Sequence, residues 1–220
     1  MELLDIYDDR NNALNKIVSR EEVHKNGFWH RKFVCIITDE NDNSVLFQSQ
    51  YKKKNSTFSR PEFLNISVGG HLVSGENISD GIREFHEESG LESVKFEDLK
   101  FLGIRQSSFS ICNDEKNYIN NEFQYVFIYK NKFDADSFKI NGDEETKGFV
   151  KINISDGIDL LTNKINTIKA KEYINGETNI IDITSSNFIP DYLVKDKFML
   201  RNFVVAKRYL ENPDNELLFW

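Results

Sequence analysis

An α/β domain, a mixed sheet sandwiched between helices with an N-terminal arm and a C-terminal helix, is the architecture this sequence predicts. Three observations predict it: short β-rich runs recur over the first 150 or so residues, one strongly patterned helix interrupts them at 78–89, and a helical stripe closes the chain. The 220 residues fit one generous domain better than two, and 39% hydrophobic content supplies a core without disulfides.

Residues 1–31 mix short polar and apolar stretches, which predicts an irregular arm with a strand or two packed on the core. The β-rich runs 33–38 and 44–49 flank the turn formers Asp39 to Asn43 and read as a hairpin. Residues 51–60 are polar and aperiodic, hence a loop, and Pro61 then introduces the run up to Gly69-Gly70. After the helix at 78–89, the runs 100–105, 122–129 and 148–152 continue the strand series. A short helix at 155–161 opens on Ser155 or Asp156 as its cap. Residues 162–187 are polar and ambiguous, with one strand around 179–184. From Asp191 to Leu210, Leu193, Phe198, Phe203 and Val204 approximate a helical stripe, which Asn212-Pro213 stops.

Charge narrows the function. Lys and Arg total 28 against 36 Asp and Glu, a net −8, which argues against binding nucleic acid through its phosphates. The basic run Lys52-Lys53-Lys54 is either a solvated loop or a contact for a substrate phosphate. No stretch approaches the roughly 20 apolar residues of a membrane span, and the acidic start lacks the pattern of an export signal. Two cysteines, Cys35 and Cys112, without close spacing fit a reducing, cytoplasmic compartment, Cys35 as a core residue.

The chemistry concentrates at 69–91. On a helix, Glu84, Glu87 and Glu88 fall at i, i+3 and i+4 and share one face, while Ile78, Ile82, Phe85 and Ser89 form another. Three crowded carboxylates cost a few tenths of a kcal/mol per pair. A hard cation such as Mg²⁺ or Mn²⁺ would relieve that repulsion. Arg83, four residues before Glu87, can orient it, and Gly90 is placed for a left-handed cap. An acidic helix face alone is as readily a solvated surface.

The flanking residues decide more. Gly70, five residues, Glu76, then Arg83-Glu84-Phe85-His86-Glu87-Glu88-Ser89-Gly90-Leu91 resembles the Nudix box. The departure is that six residues, not seven, separate Glu76 from Arg83. The resemblance implies a Nudix α/β/α sandwich over 32–162, with residues 1–31 as its arm and 163–220 as an extension of the same globule. It further implies Glu84, Glu87, Glu88 and Arg83 as catalytic residues. The acids and the Gly70 carbonyl would be ligands to Mg²⁺ or Mn²⁺, with Glu122 or Glu145 as candidate general bases outside the box. The implied partner is a small-molecule diphosphate, with a homodimer as a further option. The substrate implied is a nucleoside diphosphate linked to another group, or a related organic diphosphate. Phe28, Trp29, Tyr51 and Phe58 are candidates for base stacking or for packing.

Residues 23–31, 65–71 and 121–123, and the run 144–148, look like the branch related to type 1 isopentenyl-diphosphate isomerase. That likeness implies a second metal site at His24, His30, His71 and Glu122, with Asn120 where the isomerases have another acid. The plainer alternative is that His24 and His30 bond loop backbone; His86 reads as structural. The isomerase cysteine falls at Gly69, which leaves no thiol for proton transfer, so hydrolysis is favoured over isomerisation. A catalytically silent nucleotide-binding module is the remaining alternative.

Overall fold

The structure is a computed structural model that describes residues 2–50, 63–113, 116–131, 146–174 and 176–214. Its centre is a mixed sheet of strands β1 (Leu3–Tyr7), β2 (Ala13–Ser19), β3 (Trp29–Asp39), β4 (Ser44–Gln50), β5 (Val68–His71), β6 (Lys100–Asn113), β7 (Lys116–Asn131), β8 (Thr146–Asn153), β9 (Ile168–Ile174) and β10 (Glu177–Ile183). The order is β10-β9-β8-β4-β3-β1-β2, with β7 parallel to β3 and β6 antiparallel to β7. One edge of β3 is shared: β5 pairs with its Lys32–Cys35 stretch and β4 with Ile37–Asp39.

Helices α1 (Arg20–Asn26), α2 (Ile82–Ser89), α3 (Ile154–Leu161), α4 (Pro190–Val194) and α5 (Phe198–Glu211) complete the described fold. Alternation along β3 explains the layers, because successive side chains face opposite ways. Phe33, Cys35 and Ile37 pack with Phe85 of α2, Val68 and Phe127. Val34 and Ile36 pack with Val126 and Ile128 and, from α5, Phe198 and Phe203. Each fully buried Ile or Phe contributes about 1.5–3 kcal/mol, and the layers make an α/β sandwich of helices on both faces.

The β3–β4 hairpin, the strand at 148–152 and the buried Cys35 stand as expected. Other elements differ. The arm is ordered by a β1–β2 hairpin and by α1, whose Ser19 cap and left-handed Gly27 bracket only seven residues. Residues 106–121 largely extend β6 and β7 into a long hairpin, whose polar sequence hides strand pairing. Asn153, not Ser155 or Asp156, caps α3, accepting from both of their backbone N–H groups. The ambiguous stretch holds two paired strands, β9 and β10. The closing helix is two, broken by Lys195–Lys197, with Lys197 at φ 53°.

Candidate active site

The box occupies the junction between β5 and α2. A short 3₁₀ turn, Ile78–Gly81, feeds straight into α2, and Asn77 and Asp80 bond reciprocally around its start. With six residues between them, Glu76 still reaches Arg83. Arg83 gathers the acids: Nε lies 3.1 Å from Glu76 Oε1, Nη2 2.9 Å from Glu84 Oε1 and Nη1 3.0 Å from Glu87 Oε2. Glu76 also accepts from the Val73 N–H at 2.9 Å. Gly90 takes the left-handed cap, φ 71°.

Glu84 and Glu88 grip the glycine pair. A Cβ on Gly70 would sit 1.9 Å from the Glu84 carboxyl carbon, so only glycine admits this approach. The Gly69 N–H donates to Glu88 Oε2 at 2.8 Å. Leu72 N–H bonds Arg31 O, so by antiparallel alternation Gly70 turns its polar groups toward Phe33 and Gly69 turns its own outward. Burial pushes the Glu84 carboxyl above its usual range and takes Glu88 up to about 8, with Glu84's charge adding to the latter. Glu87 is half exposed and held by Arg83.

A second set lies on the sheet face opposite Phe33. Along β3 this face reads His30, Lys32, Val34, Ile36, and along its parallel partner Glu122, Gln124, Val126, Ile128, in register. The face is therefore apolar at one end and polar at the other. His24 from α1 and His71 from β5 close over the polar end. Their ligand atoms and that of His30 all lie within 4.8 Å of one another, the one such His/Cys/Asp/Glu group among the described residues. The three helix glutamates form no group that tight. Glu122 Oε1 stands 3.7 Å from His71 Nε2 and 4.0 Å from His30 Nε2.

The imidazoles are oriented from behind. His24 Nδ1 meets Arg20 O at 2.7 Å, and His30 Nδ1 meets Phe28 O at 3.1 Å; a carbonyl only accepts, so both Nδ1 atoms carry the proton. That leaves both Nε2 atoms bare, and both are buried without a partner, as is Asn120 Oδ1. His71 Nδ1 faces Glu2 Oε1 at 3.1 Å. Burial lowers His24 to about 4 and His30 to about 3, so both are neutral at pH 7. Burial pushes Glu122 up, but Lys32 and the neighbouring imidazoles outweigh it and hold the carboxyl well below its usual range. With His30 neutral, the ammonium of Lys32 is the cation that matters.

Sequence reasoning missed the groups around Glu122. Gln124 donates to Glu122 Oε2 at 2.5 Å and accepts from Arg105 Nη1 at 2.8 Å. Arg105 is clamped by Asp196 through two bonds, 2.6 and 3.1 Å, and lies 3.9 Å from the Phe198 ring centre. The signal was a polar phase continuing an apolar one on β3 and β7. Trp29 packs on Phe123, Phe28 on the Leu4–Val23 cluster, and His86 bonds Val94 O, all structural contacts. Glu145, Lys52-Lys53-Lys54, Tyr51 and Phe58 lie outside the described residues.

The buried Glu88 has a consequence for stability. Between pH 4.5 and 8 the metal-free folded chain keeps a proton on Glu88 that the unfolded chain has released, so stability falls as pH rises through that window. His24 and His30 act in the opposite sense, but below about 6.5, where the unfolded imidazoles take up protons. Urea midpoints in a chelator are expected to fall from pH 6.5 to 8, and Glu88→Gln to reduce that slope. Equal slopes in both proteins would refute the assignment.

The NUDIX domain pattern matches residues 28–155. The chain is 35% identical over 175 residues to an uncharacterized Nudix hydrolase of Clostridium acetobutylicum, covering 79% of this chain and 80% of that protein. It is 33% identical over 110 residues to Nudix hydrolase 3 of Arabidopsis thaliana, covering 50% of this chain and 14% of that one. A crystal structure from Deinococcus radiodurans aligns at TM-score 0.46 and 18% identity, covering 74% and 89% of the two chains. No helix among the described residues is long and apolar enough to cross a membrane.

Proposed function

We propose, from the premise that this chain belongs to the Nudix family of hydrolases, that it cleaves the diphosphate linkage of a nucleoside diphosphate joined to a second group, or of a related organic diphosphate. One observation carries the reading: Arg83 ties Glu76, Glu84 and Glu87 together while Glu88 is fixed on the Gly69 N–H, so the box acids surround the glycine pair.

These residues fit a divalent ion. Glu84 is a partly buried and Glu88 a buried carboxylate, both with raised pKa values, a donor set that a hard cation would stabilise. Glu84, Glu87 and Glu88 would hold Mg²⁺ or Mn²⁺, with the carbonyl of Gly70 or of its outward-facing neighbour Gly69. An ion held there supplies Lewis-acid polarisation and an acidified water. Arg83 keeps Glu84 and Glu87 oriented. Water attacks one phosphorus, the bond from that phosphorus to the bridging oxygen breaks, and the water's proton passes to a carboxylate. That acceptor is a box glutamate or, outside the box, Glu122 or Glu145.

We further infer a second metal site at His24, His30 and His71 with Glu122, where Zn²⁺ or Mn²⁺ suits neutral imidazoles. Two bare, buried Nε2 atoms support it; unsatisfied, each costs about 1–3 kcal/mol. The same convergence supports a place in the branch related to type 1 isopentenyl-diphosphate isomerase. Isomerisation itself is disfavoured at Gly69, where a Cβ would meet Ile66 Cδ1 at 2.6 Å and Lys32 Cε at 3.3 Å.

The test is a phosphate-release screen with Mg²⁺ and Mn²⁺ over nucleoside di- and triphosphates, nucleotide sugars, dinucleoside polyphosphates and prenyl diphosphates. Metal-dependent release from at least one class is expected, with no dimethylallyl diphosphate formed from isopentenyl diphosphate. Metal-dependent formation of that isomer would overturn the hydrolase reading. Retention of a nucleotide without turnover would favour the silent module.

A further inference from the structure

Lys32 stands on this sheet face beside Glu122 and the histidines. Its side chain is 17% exposed, and it extends across Gly69, its Cε 3.3 Å from where a Cβ would stand. An ammonium carries three donors and no acceptor. Among the described residues, none of the three makes a hydrogen bond; the nearest charge, Glu122 Oε1, is 3.8 Å away, an ion pair beyond hydrogen-bond reach. A partly exposed ammonium with no hydrogen bond among the described residues has donors for something else to occupy.

The neighbours show what that is. Arg105, the other buried cation nearby, is consumed by Asp196 and Gln124 and offers nothing to a ligand. Gln124 in turn fixes Glu122 Oε2, which leaves Oε1 toward Lys32 and the histidines. A ligand reaching Lys32 thus meets a compact point charge over a glycine, beside the imidazole group. A point charge with three rotatable donors suits a phosphoryl oxygen. A neutral carbonyl or sugar hydroxyl would bring no charge to it.

We propose that Lys32 is a substrate-binding residue that receives a phosphoryl group of the diphosphate substrate, between the glutamate and histidine sets. The inference rests on the hydrolase reading and deepens it, giving one end of the substrate a fixed seat. Glu122, held as a carboxylate, would repel an anion beside Lys32, so divalent ions at the proposed sites raise anion affinity. Lys32 then supplies the remaining attraction.

Methylenediphosphonate, which resists hydrolysis, reads this out apart from turnover. In calorimetric titrations of the full chain with Mn²⁺, Lys32→Met is expected to weaken binding about 10–100-fold, the scale of a lost charge-assisted bond. Bound Mn²⁺ should stay at the parental level. Lys32→Arg should bind within a few-fold of the parent, and Lys32→Gln replaces Lys32→Met if urea unfolding finds the latter unfolded. Parental affinity in Lys32→Met or Lys32→Gln, with parental hydrolysis intact, overturns the Lys32 assignment alone. A parent that neither binds Mn²⁺ nor hydrolyses any diphosphate overturns the enzymatic reading. Even then, a metal-free diphosphonate affinity lost in Lys32→Met supports the seat, and one unchanged sinks it.

Discussion

Glu88→Gln is expected to lower hydrolysis by ~10²-fold or more while leaving the fold intact, because a neutral amide is a poor ligand for a hard cation. The geometry makes this substitution clean. The new amide oxygen can still accept from the Gly69 N–H, so position is preserved while charge is removed. Burying an amide in place of a carboxylate also spares the fold the penalty that drives Glu88 to about 8. Glu87→Gln should act in the same direction, through loss of a ligand and of the ion pair with Arg83 Nη1. Steady-state turnover on the best substrate of the screen, with urea unfolding as the control, measures both. Turnover within a few-fold of the parent in both variants would remove these acids from the mechanism.

His71→Ala is expected to weaken the tightly held Zn²⁺ or Mn²⁺ by ~10²-fold or more, leaving the Mg²⁺ response of the glutamate set in place. Loss of a first ligand should cost at least as much as the 10–100-fold typical of losing a residue that merely orients one. Metal content after dialysis, against Mg²⁺-dependence of turnover, separates the two sets. An unchanged content would mean that the bare Nε2 atoms of His24 and His30 answer to something else.

The box was legible because its signal is local. Glu84, Glu87 and Glu88 owe their common face to helical spacing, and the resemblance runs through consecutive residues from Arg83 to Leu91. The histidines share no such spacing: they come from α1, β3 and β5, and only a family likeness linked them before the fold did. Lys32 and Gln124 were overlooked because each sits in a run dominated by apolar residues, where overall β character masks which phase points inward. The break at Lys197 escaped notice because a lysine, without glycine or proline, holds the left-handed turn between α4 and α5. Helix α1 was lost for brevity, since seven residues give too little periodicity to recognise.

The N-terminal arm pairs with β3 as a strand only where Tyr7 stands opposite Trp29, and Arg31 of β3 bonds its Asn11; the arm also supplies His24 and places Glu2 behind His71. On the two-site reading, lifting the arm and emptying the histidine site are one event. Ion binding would then act as a latch: at a free concentration 100 times its dissociation constant, it would hold the arm closed by a further ~2.7 kcal/mol. Chelation would leave residues 2–26 to their other contacts, so the supply of metal would govern how often the polar half of the sheet opens to solvent.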